Sequence, residues 1–204
     1  MPAFAQHRVN DIEALDGIRH RDGVEIDLRS IPDRPGYIHL AHDPWKVGVS
    51  FEDWLARYVA CGFKGPLILN TKEDSLERRA VEICRQRGVA NYFFLGTQIP
   101  TLVEWAARDE AADFAVRFSA YEPYESVAPF VGKCRWVWVD CFKGLPHGVA
   151  DVEALKRAFR ICLCSPELQG GPVEAIPDFR NLYPLADAIC TKRPDLWQAL
   201  GAVP

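Results

Sequence analysis

Apolar residues come in short bursts along the chain, and most bursts are followed by a longer stretch where apolar positions recur every three or four residues. The bursts fall at 4–9, 24–30 with 37–42 as its extension, 66–72, 92–95, 114–121, 136–142, 161–164 and 188–191. Their length and their share of Val, Ile, Phe and Trp predict β-strands. The stretches 51–61, 75–87, 101–108, 151–159 and 173–183 predict amphipathic helices. Ser50 with Asp53 three residues on gives the first of these a capping-box-like start. Strand and helix in alternation predict a parallel sheet of βαβ units. Counting the N-terminal burst gives eight strands, the number of a (β/α)8 TIM barrel. At 204 residues that barrel is compact, with short helices and lean loops. No linker, repeat or low-complexity segment breaks the series, so a single domain over 1–204 is expected. The glycine fingerprint of a doubly wound sheet is absent.

Composition narrows the class. Hydrophobic residues at 49% and charged residues at 25% describe an ordinary soluble globular protein. A formal net charge of -4 offers no basic footprint, so no nucleic-acid partner is expected. No apolar run reaches the ~18 residues of a membrane span, and the N-terminus has no charged-then-apolar signal. The seven cysteines form no CxxC pair, and Cys141, Cys162, Cys164 and Cys190 lie inside apolar runs. They read as reduced thiols acting as small hydrophobes, with a cytoplasmic location expected.

Parity then separates chemistry from core. In GVEIDLRS, Val24, Ile26 and Leu28 share one strand face, and Glu25, Asp27 and Arg29 share the other. Two carboxylates at i and i+2 on an inward face repel each other and lose hydration unless a positive charge neutralises them. A divalent cation, Mg2+ or Ca2+, is the expected neutraliser; an internal salt bridge to Arg29 or Lys72 is the alternative. In a barrel, chemistry gathers at the C-terminal strand ends. Those ends carry His7 and Arg8, Glu25 and Asp27, His42, Asn70 and Lys72, Arg117, Glu122, Asp140, Glu167 and Lys192. His7 and His42 flank the acids and suit acid–base work near neutral pH. His20, His39 and His147 are assigned no role. Trp136, Trp138 and Asp140 share a face that reads as core. Arg117 faces either an anionic ligand or Asp140. The loop Ser165 to Gly171 lies where barrels often bind phosphate, though Gly170-Gly171 also reads as a plain turn.

In their order, His7-Arg8, Glu25-x-Asp27, His42-Asp43-Pro44, Lys72 and the run from Ala186 to Pro194 resemble the glycerophosphodiester phosphodiesterase family, of the phosphatidylinositol-phospholipase-C-like superfamily. The resemblance spans nearly the whole chain. It implies a (β/α)8 barrel that hydrolyses a small phosphodiester with the help of a divalent cation. It implies His7 and His42 as the acid–base pair, Glu25 and Asp27 as metal ligands with Asn70 at the third ligand's position, and Arg8 and Lys72 as phosphate contacts; Arg117 is added as a phosphate contact from its own strand face. Asp140, Glu167 and Lys192 are possible additions. The family's usual nucleophile is an adjacent substrate hydroxyl. Three positions depart from the pattern: Val9 replaces a glycine, Asn70 an acidic ligand, and Lys192 an aspartate. The long insertion common after the HD pair is missing, since few residues separate Pro44 from the helix at 51, so the pocket is open or completed by another subunit. Oligomeric state is left open. Two other classes remain: a barrel that keeps the metal and anion site as a binding module, and a metal-dependent sugar isomerase or aldolase.

Overall fold

The structure is a computed structural model that describes residues 1–142 and 144–201. It resolves into two compact units, one of residues 5–104 and one of 1–4 with 105–204. Strand β1 (Ala3–Gln6) contributes residues to both.

In the first unit the strand order is β5-β4-β2-β1, with β2 at Gly23–Ser30, β4 at Leu67–Thr71 and β5 at Tyr92–Leu95. All three pairings are parallel, and the register sets Asp27 opposite Asn70 and Ala5 opposite Gly23. Helix α1 (Phe51–Cys61) follows the short strand β3 (Ile38–Leu40), and α2 (Glu77–Gln86) follows β4. Helix α1 buries Phe51, Trp54, Leu55 and Tyr58, the i, i+3, i+4, i+7 set of one helical face. Burying each of those side chains is worth about 1.5–3 kcal/mol. Ser50 Oγ accepts from the Asp53 amide, the expected cap, and Gly62 at φ +70° ends the helix in the left-handed conformation.

The second unit runs β6 (Ala115–Phe118), β7 (Trp136–Val139), β8 (Arg160–Cys164) and β9 (Ala188–Thr191) as neighbours in that order, all parallel. Helix α3 (Ile99–Ala107) contributes residues to both units, and α4 (Tyr124–Val127), α5 (Val149–Lys156) and α6 (Pro194–Gly201) belong to the second. Each unit thus supplies half of the strand and helix alternation of a (β/α)8 barrel.

Two elements differ from expectation. Residues 37–42 do not extend β2. Ile38–Leu40 forms a separate strand, β3, which turns back and pairs antiparallel with the end of β2, Ser30 against Ile38 and Leu28 against Leu40. The segment 173–183 is not an α-helix but a 3-10 helix over Val173–Phe179 and a 3-10 turn over Tyr183–Leu185. Pro177 sits inside the first and Pro184 inside the second, where a proline removes the donor that a longer α-helix needs. None of the seven cysteines is in a disulfide and six are buried; burial pushes the Cys84 and Cys134 thiols up to about 12, as expected of unreactive packing groups.

Candidate functional site

The first unit holds a dense polar cluster on the outer half of β2. Both faces of this strand are buried, with Val24, Ile26 and Leu28 on one and Glu25 and Asp27 on the other, the two acids 1% and 0% exposed. Burial of ionised carboxylates side by side is unfavourable, so their partners decide what the site is.

Every carboxylate oxygen of the pair has a donor. Glu25 Oε2 accepts from the Arg8 amide at 2.7 Å, and Glu25 Oε1 from Asn70 Nδ2 at 2.8 Å. Asp27 Oδ1 lies 2.9 Å from Lys72 Nζ and 3.3 Å from the same Asn70 amide nitrogen. Asp27 Oδ2 accepts from Asn10 Nδ2 at 2.9 Å, and the Asp27 amide returns a bond to Asn10 Oδ1 at 2.9 Å. Arg8 Nε stands 3.6 Å from Asp27 Oδ2, and His7 Nε2 3.7 Å from Glu25 Oε2. Of the two internal partners considered from the sequence, Lys72 is the one used. Arg29 instead donates twice to the His42 carbonyl, at 3.2 and 2.9 Å. Burial, then the Asp27 charge, pushes Glu25 up to about 7, against the opposing pull of Asn70, Lys72 and the Arg8 amide.

Local backbone explains these contacts. Arg8 has φ +57°, the left-handed region, and that turn aims its amide at Glu25. Val9, where the family has glycine, is outside that region, so a β-branched residue fits there. Gly96 has φ +84°, and a Cβ there would lie 2.6 Å from the Thr71 carbonyl oxygen and 2.8 Å from Asn70 Oδ1. The glycine therefore lets the β5 loop cross behind Asn70 and backs its side chain.

Strand β3 delivers His42. Because it runs back along β2, the Ala41 amide bonds to the Asp27 carbonyl at 3.1 Å, which sets the next residue beside the acids. His42 Nδ1 is 3.0 Å from Asp43 Oδ1, and Lys46 Nζ is 3.0 Å from Asp43 Oδ2. The bonds from His42 and Lys46 hold Asp43 down at about 2, so it stays ionised. An ionised carboxylate on Nδ1 favours the proton there and leaves Nε2 as the acceptor. A cleft of about 370 Å3 opens beside it, lined by Arg8, Asn10, His42, Asp43, Lys46 and Gly48 among others. His39 is occupied elsewhere, since its Nδ1 accepts from the Gly48 amide and its Nε2 reaches the Ser30 carbonyl, tying the short loop down.

Sequence reasoning passed over Asn10, Asp43 and Lys46. Asn10 and Lys46 lie in irregular segments where no strand period marks a facing direction. The HD pair named Asp43, but only the structure shows it gripping the imidazole.

The second unit gathers the remaining predicted residues into structural pairs. Arg117 donates to Asp140 Oδ2 at 2.9 and 2.5 Å, and lies 3.8 Å from Glu122. Trp138 Nε1 and Gln169 Nε2 both donate to Asp140 Oδ1. Of the two partners read for Arg117, Asp140 is thus engaged. Glu167 caps the end of β9, accepting from Thr191 Oγ1 at 2.6 Å and the Lys192 amide at 2.9 Å. Lys192 itself is exposed.

A divalent cation must be tested against this donor set. Among the described residues, no group of three or more His, Cys, Asp or Glu is placed to hold one. Asn70 shows the acids its amide nitrogen rather than its oxygen, and the Lys72 ammonium stands directly on Asp27. This arrangement does not fit a cation without moving both.

No family model and no curated protein matches the chain. Solved structures do. A candidate glycerophosphodiester phosphodiesterase from Galdieria sulphuraria aligns at 16% identity and TM-score 0.74, covering 98% of each chain. An Oleispira antarctica phosphodiesterase in complex with its product sn-glycerol-3-phosphate aligns at 15% identity and TM-score 0.71, over 100% of this chain and 98% of that one. A glycerophosphodiester phosphodiesterase from Agrobacterium tumefaciens aligns at 15% identity and TM-score 0.68, over 97% and 99%. At such identities the likeness shows the fold, a (β/α)8 barrel.

Proposed function

We propose that the protein is a phosphodiester hydrolase acting on a small glycerophosphodiester-like substrate, with His7 and His42 as its acid–base pair. The observation that carries this reading is the cleft in which His42, oriented by Asp43, meets Arg8 and Lys46, beside the acid pair that touches His7. Phosphodiester cleavage needs positive charge at the nonbridging oxygens, a base for the attacking hydroxyl and an acid for the leaving oxygen. Arg8 supplies charge at the cleft, and Lys72 adds to it from Asp27. His42, with Nδ1–H held by Asp43, takes the proton of the attacking hydroxyl on Nε2. His7, facing the Glu25 carboxylate, returns a proton to the leaving alcohol. One P–O bond forms and one breaks. The nucleophile is an adjacent substrate hydroxyl, giving a cyclic phosphate that water opens, or water itself.

The fold likeness to a phosphodiesterase that holds sn-glycerol-3-phosphate supports the substrate class. No helix among the described residues is long and apolar enough to cross a membrane. The test is release of sn-glycerol 3-phosphate from a panel of glycerophosphodiesters. His7→Ala and His42→Ala, with unchanged circular dichroism, should each lose about 10²–10⁴ in kcat. Full turnover in either variant refutes the pair.

A further inference from the structure

We infer that the Glu25–Asp27 pair is neutralised from within by Lys72, Asn70 and Asn10, and that this chain meets phosphate with Arg8 and Lys72 rather than with a divalent cation. The phosphate half of this inference rests on the phosphodiesterase reading; the internal neutralisation does not.

The argument starts from oxygens. Mg2+ requires near-octahedral oxygen ligands at about 2.1 Å, and Ca2+ six to eight at about 2.3–2.6 Å. Here the four carboxylate oxygens already accept from the Arg8 amide, Asn70, Lys72 and Asn10, at 2.7 to 2.9 Å. A cation needs those lone pairs.

Asn70 is the deciding residue. Its Nδ2 bridges both acids, at 2.8 Å from Glu25 and 3.3 Å from Asp27. Turned over, the amide would set its oxygen against Asp27 Oδ1, the acceptor of the Lys72 ammonium, so the pair favours the orientation that points the nitrogen inward. The amide oxygen then faces Gly96, where a Cβ would stand 2.8 Å from it. An acid at this position would be a third negative charge and would demand a cation. An amide is a donor, and it converts the same geometry into a closed hydrogen-bond network.

The charges agree. Two acids face the Lys72 ammonium at 2.9 Å and the Arg8 guanidinium at 3.6 Å. Arg8, which is 41% exposed at its side chain and lines the cleft, has donors to spare for a ligand. Asn10 holds Asp27 from the side opposite Lys72, through both its oxygen and its nitrogen. It is a positioning residue for the carboxylate on which Lys72 sits.

The experiment is calorimetric titration of MgCl2 and CaCl2 into EDTA-treated full-length protein, alone and with saturating sn-glycerol 3-phosphate. Wild type should show no saturable heat up to about 5 mM cation in either case, and Asn70→Asp should gain binding by at least about tenfold. Binding of sn-glycerol 3-phosphate and turnover should change less than about twofold between EDTA and added Mg2+, and Lys72→Met should weaken both by about tenfold or more. Stoichiometric cation binding by wild type that Glu25→Gln/Asp27→Asn abolishes overturns the inference. So does ligand binding lost in EDTA and restored by metal. If no phosphate ligand binds and no diester turns over under any condition, the function reading fails. The cation titrations then still decide the neutralisation on their own.

Discussion

Removing the Lys72 ammonium is the sharpest probe of how the buried acids are held. Lys72→Met keeps the length of the stem and deletes the charge 2.9 Å from Asp27 Oδ1. At that distance and an effective dielectric of ~20, the gross attraction is about 6 kcal/mol. Two terms reduce it. Lys72 is four-fifths buried, so losing its desolvation penalty gives part of the energy back. Asn10 and Asn70 also remain as donors to Asp27, and Arg8 stays nearby. A net loss of about 2–3 kcal/mol in unfolding free energy follows, below the ~3–5 kcal/mol of a fully isolated partner. The assay is urea denaturation of wild type, Lys72→Met, Asp27→Asn and the double variant. In the Asp27→Asn background the same lysine change should cost under about 1 kcal/mol, leaving a coupling of at least ~1 kcal/mol. Lys72 also holds the Glu25 carboxyl down, so the variant binds a proton more readily. Its deficit should therefore be largest near pH 8 and shrink toward pH 5. A coupling near zero, or a deficit that grows on acidification, would show that Lys72 is a bystander.

Other consequences are as direct. The folded Glu25 carboxyl titrates at about 7 against an ordinary 4.5, so the folded chain keeps a proton that the unfolded chain has released. Stability should fall as pH rises from 4.5 to 7, by up to ~3 kcal/mol, and Glu25→Gln should flatten that slope in urea melts at pH 5 to 8; a flat wild-type profile contradicts it. Asp43→Ala should leave the fold intact but free the His42 ring, lowering kcat about 10–100-fold with little change in KM, as steady-state kinetics would show. Gly96→Ala places a Cβ 2.6 Å from the Thr71 carbonyl at φ +84°, and should cost about 2–4 kcal/mol, read as a drop in Tm of several degrees.

Much of this was legible in the sequence because strand parity is a strict code. Alternation named the faces of β2, and the residues it turned inward, Glu25 and Asp27, are buried together. The same count put Asn70 and Lys72 on one face of the neighbouring strand, and the register sets Asn70 across from Asp27. Parity does not tell a strand that continues from one that returns. The turns at 31–37, where the Arg34 amide bonds to Ile31 and the Tyr37 amide to Arg34, reverse the chain without disturbing the alternation. Loops carry no period at all, which is why Asn10 and Lys46 were invisible. Nor does a sequence show which donor an acid will choose. Arg29 and Lys72 were equal candidates on paper, and the reversal of the chain drew Arg29 to the His42 carbonyl instead.

That reversal also explains how the chain places His42 with only a short loop after it. Strand β2 has eight residues, whereas β1, beside it, has four. The parallel register with β1 ends at Gln6 against Val24, and the rest of β2 has no strand partner from β1 on that side. Bare strand backbone leaves amides and carbonyls unpaired, so the overhang recruits β3. Pairing antiparallel, β3 must descend toward the acids, and its register with Leu28 leaves the Ala41 amide opposite the Asp27 carbonyl. His42 is then fixed by backbone bonds one residue past that contact, and Arg29, on the same overhang, clamps its carbonyl. The loop from 42 to 50 has only to close, which Gly48 permits by letting the backbone pass against the Leu40 carbonyl, where a Cβ would lie 1.8 Å away. The position of the imidazole is therefore set by the difference in length of two strands, and an insertion after His42 is not needed to place it.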